Sequence, residues 1–286
     1  IKRGLIILGK NKRLLAILLI FTLLFSGCSI ISKVRGNTKT DVEQGLDKNK
    51  YIINADLDEA NKILTVTQTV HYKNNENIDL NELYFHVYAN AFKKKETAPF
   101  LFDDFSNAYK SGFSPGFTEI ESIYMMKEDI KWDFQYKLQG EGETILKIEL
   151  PSTLKIGETA EINMKYKVHI PPAGERFGYN EGNFNLGNWY PVAAVYDESG
   201  WNLDKYYAIG DPFYSDSSDY EVTINTSDKL TVAASGELLK KNVEASKQQW
   251  QFRAENMRDF AFVASDKFQV LEENVDGTQV KSYFYV

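Results

Sequence analysis

The sequence has a single cysteine, Cys28, among 286 residues. An intrachain disulfide and a cysteine metal cluster are therefore excluded. Histidine is almost as scarce, with only His71, His86 and His169. None begins an H-E-x-x-H motif, so the spacing that puts two imidazoles on one metal is missing. All three are read as exposed or hydrogen-bonded strand residues. No serine nucleophile elbow is expected, and so no Ser-His-Asp site. Asp56, Asp58 and Asn61 resemble the start of a calcium loop. Asn61 and Thr67 stand where an EF-hand needs glycine and glutamate, which excludes that reading. No apolar run reaches the ~20 residues of a membrane-spanning helix.

Basic charge is short as well. Lys2, Arg3, Lys10, Lys12 and Arg13 fall in the first 27 residues, which hold no acid. Without these five, 28 bases face 40 acids, a net charge of −12. A surface of that sign repels phosphate backbones, so nucleic acid is not an expected partner.

What is present begins with an address. Lys10-Asn-Lys-Arg13 precedes an apolar run from Leu14 to Phe25, interrupted only by Thr22. Ser26, Gly27 and Cys28 follow. A basic block, a short apolar region and small residues make a secretory signal. The order resembles a bacterial lipobox, with Phe25 where leucine is usual. It predicts a lipoprotein signal peptide over 1–27, lipidation at Cys28, and a flexible tether over 28–49, rich in Ser, Lys, Asn and Gly. The implied location is extracytoplasmic, with the chain lipid-anchored to a bacterial cell membrane.

From Tyr51 onward the period is two. Ala160, Ile162, Met164, Tyr166, Val168 and Ile170 alternate with polar residues, as in a strand with one buried face. Tyr51, Ile53, Ala55 and Leu57 do the same, as do Leu64, Val66, Val70 and Tyr72, with Gln68 interrupting the apolar set. Asp58-Glu-Ala-Asn61 between the last two runs predicts a hairpin. Leu83, Phe85 and Val87 open a third strand. Further strands are expected at 117–124, 132–138, 144–150, 220–225, 230–234, 249–254, 260–264 and 280–286, with an irregular stretch containing some helix over 92–116. The fold class is all-β, a sandwich or curved antiparallel sheets spanning 50–286. Residues 184–214 hold nine aromatics without clean alternation. They form either a docking or cleft surface or a loop folded onto the core.

Several segments carry a family resemblance. Tyr51-Ile-Ile-Asn-Ala-Asp-Leu-Asp58, Tyr72-Lys-Asn-Asn75 and Leu83-Tyr-Phe-His-Val-Tyr-Ala-Asn-Ala-Phe92 resemble the start of zinc aminopeptidases of the membrane alanyl aminopeptidase (gluzincin) family. The likeness continues at Asn188-Trp-Tyr-Pro191, Gly210-Asp-Pro-Phe-Tyr214, Asp219-Tyr-Glu-Val-Thr223, Val232-Ala-Ala-Ser-Gly236 and Met257-Arg-Asp-Phe-Ala261.

The resemblance implies a saddle-shaped, non-catalytic N-terminal β domain that helps shape a substrate cleft. The family's G-x-M-E-N and H-E-x-x-H motifs are not in this sequence. The resemblance therefore assigns zinc to a catalytic domain C-terminal to Val286, with peptides as substrates and no catalytic residue or cofactor in this chain. The start at Ile1 and the end within a strand read as those of a fragment. In the family an acid or amide near the Trp189-Tyr190-Pro191 segment helps hold the substrate amine. Glu181 and Asn185 are the nearest candidates, with Trp189 and Tyr190 beside them. The alternative expectation is a stand-alone surface lipoprotein whose sandwich binds a protein or glycan.

Overall fold

The computed structural model describes residues 47–101, 104–127 and 130–285. Cys28, the signal and most of the tether lie outside them. Among the described residues twenty strands run in chain order. The first eight are β1 (Lys50–Asp58), β2 (Ile63–Lys73), β3 (Leu80–His86), β4 (Phe117–Lys127), β5 (Ile130–Asp133), β6 (Gln135–Gln139), β7 (Ile145–Leu154) and β8 (Thr159–His169). Short strands follow: β9 (Phe177–Asn180), β10 (Asn183–Leu186), β11 (Val192–Ala193), β12 (Tyr196–Asp197) and β13 (Gly200–Trp201). The last are β14 (Ser218–Ser227), β15 (Thr231–Ala234), β16 (Glu237–Glu244), β17 (Lys247–Met257), β18 (Phe262–Ser265), β19 (Gln269–Val275) and β20 (Thr278–Phe284). Between β3 and β4 the chain makes a 3-10 turn over Tyr88–Lys93 and a short helix over Asp104–Ala108, the irregular stretch the sequence predicts.

One sheet has eight strands in the order β16-β17-β14-β1-β2-β8-β4-β5. Two four-stranded sheets, β15-β18-β10-β9 and β11-β3-β7-β6, share its core, and β12–β13 and β19–β20 are separate hairpins. The period-two residues do what their spacing requires: Tyr51, Ile53 and Ala55 on β1, and Ile162, Met164, Tyr166 and Val168 on β8, are all buried. All pairs are antiparallel except β1 with β14, which sets Tyr51 beside Tyr220. Their rings stack at 4.9 Å and 11°.

The predicted hairpin forms, and Asp58 holds its turn. Its carboxylate accepts from the Ala60 and Asn61 N–H groups at 3.0 Å and from Asn61 Nδ2 at 2.7 Å. These bonds, the Asn61 backbone first, hold its pKa below the ordinary aspartate value. The expected strand over 132–138 is instead two strands in different sheets. The break is at Phe134, which is buried and donates its N–H to Ile123 O at 2.9 Å. The tether also ends earlier than its composition indicates. Asn49 is buried, and its Oδ1 accepts from the Lys73 N–H at 2.9 Å.

Gln68, the polar residue on the apolar face of β2, is 2% exposed. Its Oε1 accepts from the Tyr166 hydroxyl at 2.7 Å and its Nε2 donates to Pro191 O at 2.8 Å. It thus ties the large sheet to the Trp189–Pro191 segment. Gln68→Leu keeps the volume and orphans two buried polar groups, so equilibrium urea unfolding is expected to show a loss of about 1–3 kcal/mol. A neutral result would mean that these bonds add nothing net.

Candidate functional site

The β9–β10 hairpin turns at Glu181 and Gly182, whose φ angles are 48° and 91°. Beyond β10 the chain passes Asn188, also left-handed at φ 53°, before Trp189, Tyr190 and Pro191. Trp189 is 0% and Tyr190 1% exposed. The Trp189 ring meets Tyr190 and Phe262 edge-on at 5.3 and 5.6 Å, and its Nε1–H donates to Phe260 O at 3.1 Å.

Tyr190 is a hub. Its hydroxyl accepts from the Phe260 N–H at 3.2 Å and lies 3.1 Å from the Tyr220 hydroxyl and 3.2 Å from Asp259 Oδ1. One proton cannot serve both oxygens. With Asp259 ionised, Tyr190 donates to the carboxylate and Tyr220 donates to Tyr190. Burial raises the pKa of both phenols above the ordinary tyrosine value. Asn188 Nδ2 donates to the other carboxylate oxygen, Oδ2, at 3.2 Å.

Asp259 is thus held by neutral donors, and burial raises its pKa above the ordinary aspartate value. It faces a cavity of about 220 Å³ whose lining includes Tyr88, Arg176, Phe213, Tyr214 and Arg258. The Arg176 guanidinium sits 4.9 Å from the Phe213 ring centre and 3.5 Å from Asp211 Oδ1. Arg258 donates to Ser215 O at 3.3 Å. The cavity therefore combines a half-buried carboxylate, two guanidinium groups and an aromatic wall. Tyr88, Tyr206 and Phe213 meet edge-on at 4.9–5.9 Å. Tyr207 and Tyr214 are exposed beside them. The aromatic stretch is thus divided, with its Trp189–Tyr190 end in the core and its 206–214 end half-buried or exposed.

The four candidate binding residues are not brought together. Glu181 is exposed and lines a different cleft, of about 360 Å³, with Tyr179, Asn180 and residues 110–114. Asn185 is half-buried and donates Nδ2 to Glu175 O at 2.8 Å. Only Trp189 and Tyr190 join the hub, through buried rings. Asn188, Arg176 and Asp259 were not singled out as ligand-facing residues. An asparagine, a residue that tolerates left-handed backbone, next to Trp189 was the one available signal.

Contrary to the expectation of no serine elbow, the spacing G-x-S-x-G does occur, at Gly112-Phe-Ser-Pro-Gly116. It lies in a loop leading into β4 rather than on the strand-to-helix turn that a nucleophile elbow needs. Among the described residues no group of three or more His, Cys, Asp or Glu side chains could hold a metal ion. The zinc implied by the resemblance therefore has no site in them.

No family model and no curated protein matches the sequence. Among solved structures the chain is similar to a mutant M1 zinc metallopeptidase from Deinococcus radiodurans, with TM-score 0.48 and 10% identity over 83% of this chain and 47% of that chain. A second structure of the M1 zinc metallopeptidase from the same organism gives TM-score 0.46 and 12% identity, over 84% of this chain and 47% of that one. The chain spans about half the length of these solved structures.

Proposed function

We propose that this chain is the non-catalytic N-terminal β domain of a lipid-anchored, extracytoplasmic zinc aminopeptidase, and that the Asp259 cavity is part of the wall that receives peptide substrate. The observation that carries this reading is a convergence. The segments Asn188–Pro191, Gly210–Tyr214, Asp219–Thr223 and Met257–Ala261 each carry part of the family resemblance and lie far apart along the sequence. They meet at one hub through Asn188, Tyr190, Tyr220 and Asp259, with Asp211, Phe213 and Tyr214 on the cavity wall. In this reading Trp189 and Tyr190 hold Asp259 from the core, and the half-exposed aromatics at 206–214 border a neighbouring catalytic domain and its peptide.

The test compares the 286-residue chain with the full product of its gene. The chain alone is expected to bind no stoichiometric zinc and to cleave no aminoacyl arylamide. The full product is expected to hold about one zinc per chain and to cleave the arylamide. In that product Asp259→Asn should raise KM more than it lowers kcat, because the carboxylate is assigned to binding. Cys28→Ala should release it from membranes. About one zinc retained by the short chain after dialysis, or arylamide cleavage by it, would overturn the reading.

A further inference from the structure

The chain between Asn202 and Ser215 crosses the surface without joining a sheet. Among the described residues, no backbone group of 203–214 bonds another backbone group. Only its ends are pinned. The Asn202 N–H donates to Val195 O at 2.8 Å. The Ser215 hydroxyl donates to Arg258 O at 2.6 Å, and the Arg258 guanidinium donates back to Ser215 O at 3.3 Å. We propose that residues 204–214 form a hinged strap, latched shut by the rings of Tyr206 and Phe213, which lifts as a unit while the sheets stay folded.

The latch is aromatic. Tyr206 and Phe213 are half-buried, whereas Tyr207, Ile209 and Tyr214 beside them are exposed. The two inward rings touch at 4.9 Å, and they meet Tyr88 edge-on at 5.9 and 4.9 Å. Tyr206 also meets Phe92 at 5.8 Å. Tyr88 and Phe92 are each 2% exposed, so the socket belongs to the core. Arg176 closes over Phe213 at 4.9 Å and lies 3.5 Å from Asp211 Oδ1. Lys205 adds a surface ion pair with Glu141 at 2.7 Å, which contributes little. Lifting the strap breaks no ladder hydrogen bond. That separates it from β14 just beyond, which is bonded to β1 on one side and β17 on the other. A segment with few buried contacts and no backbone pairing opens at a lower free energy than the sheets do.

The strap also walls two cavities. One, of about 160 Å³, is lined by Tyr206, Tyr207 and Pro212 together with Phe92 and Arg176. The other is the Asp259 cavity, lined by Phe213 and Tyr214 together with Tyr88 and Arg176. With the strap lifted the two become one cleft floored by Tyr88 and Phe92. Closed, the surface admits a small group, and open, an extended one. The motion belongs to this chain whatever the cleft receives.

The experiment is native-state proteolysis. The chain is treated with chymotrypsin in urea below its unfolding transition, and cutting at Tyr207–Ala208 is followed by mass spectrometry. Protease cuts the open form, so the rate follows the population of lifted strap when reclosing is fast. In wild type the rate should depend only weakly on urea, because lifting exposes little surface compared with global unfolding. Phe213→Ala should raise the rate at least about tenfold, and Arg176→Gln about two- to fivefold. Glu141→Gln, which removes only the surface ion pair, should leave it within about twofold. The proposal is overturned if the urea dependence of cutting matches that of global unfolding, or if neither Phe213→Ala nor Arg176→Gln speeds the cut. It is also overturned if Phe213→Ala lowers the midpoint of global unfolding as far as Phe262→Ala, a fully buried ring, does.

Discussion

Trp189→Ala is expected to cost about 3–5 kcal/mol of unfolding free energy and to leave association unchanged. The indole is among the largest fully buried side chains of the domain. It fills the space between Tyr190 and Phe262, and its N–H satisfies Phe260 O. Truncation would leave a cavity that ordered strands on several sides cannot close, and it would leave the Phe260 carbonyl without this donor. Because Phe260 also donates to the Tyr190 hydroxyl, the loss should spread to the hub that holds Asp259. Trp201→Ala is the control. That ring is half-buried, tilted against Tyr84 at 5.3 Å and edge-on to Tyr196 at 5.4 Å, and its removal should cost about 1–2 kcal/mol. Urea unfolding and sedimentation of both variants decide the matter. A Trp189→Ala loss below about 1.5 kcal/mol, or a change in its oligomeric state, would contradict the core placement.

The contrast between these two tryptophans marks where sequence patterning stops being informative. The long strands were legible because one side of each is buried and the other wet, which writes a period of two into the residues. β16 was missed because it is an edge strand with almost every residue exposed, and a register shift between Leu238 and Lys240 breaks whatever alternation it has. In the β19–β20 hairpin, the Asp276-Gly277 turn was read correctly, with φ angles of 50° and 86°. The strand before it was not, since all seven of its residues are exposed. The hub was illegible for another reason. It depends on the parallel pairing of β1 with β14, which joins residues about 170 positions apart, and on Asp259 returning beside Asn188. Local spacing carries no trace of either. The candidate site was therefore visible as separate segments and became a site only through topology.

His86 makes an acid-sensitive point in the same core. It is 1% exposed, stacked on Tyr88 at 4.7 Å and 4°, with Nε2 3.1 Å from Asn202 O. A carbonyl only accepts, so the Nε2 position carries the proton. Nδ1 is buried and has no partner. Adding a proton there would place a charge in the core with no acceptor. Burial accordingly pulls the His86 pKa down from 6.5 to about 4, against the smaller opposing pulls of Asn202 O and Asp204.

The unfolded chain takes up this proton near pH 6.5 while the folded chain refuses it until about pH 4. The stabilisation is therefore complete above pH 6.5 and is lost as pH falls from there to about 4, at a slope approaching 1.4 kcal/mol per pH unit and about 3 kcal/mol in all. Glu76, Asp216 and Asp259 work in the opposite direction. Their folded pKa values are raised, so protonation in acid relieves them. The isolating variant is His86→Gln, whose side-chain amide still offers a donor to Asn202 O and does not titrate. Urea unfolding from pH 7 to pH 4 should show wild type losing about 3 kcal/mol more than His86→Gln across that range. Parallel curves for the two proteins would mean that the buried imidazole takes no part in the acid response, and that the unpartnered Nδ1 finds an acceptor when it is protonated.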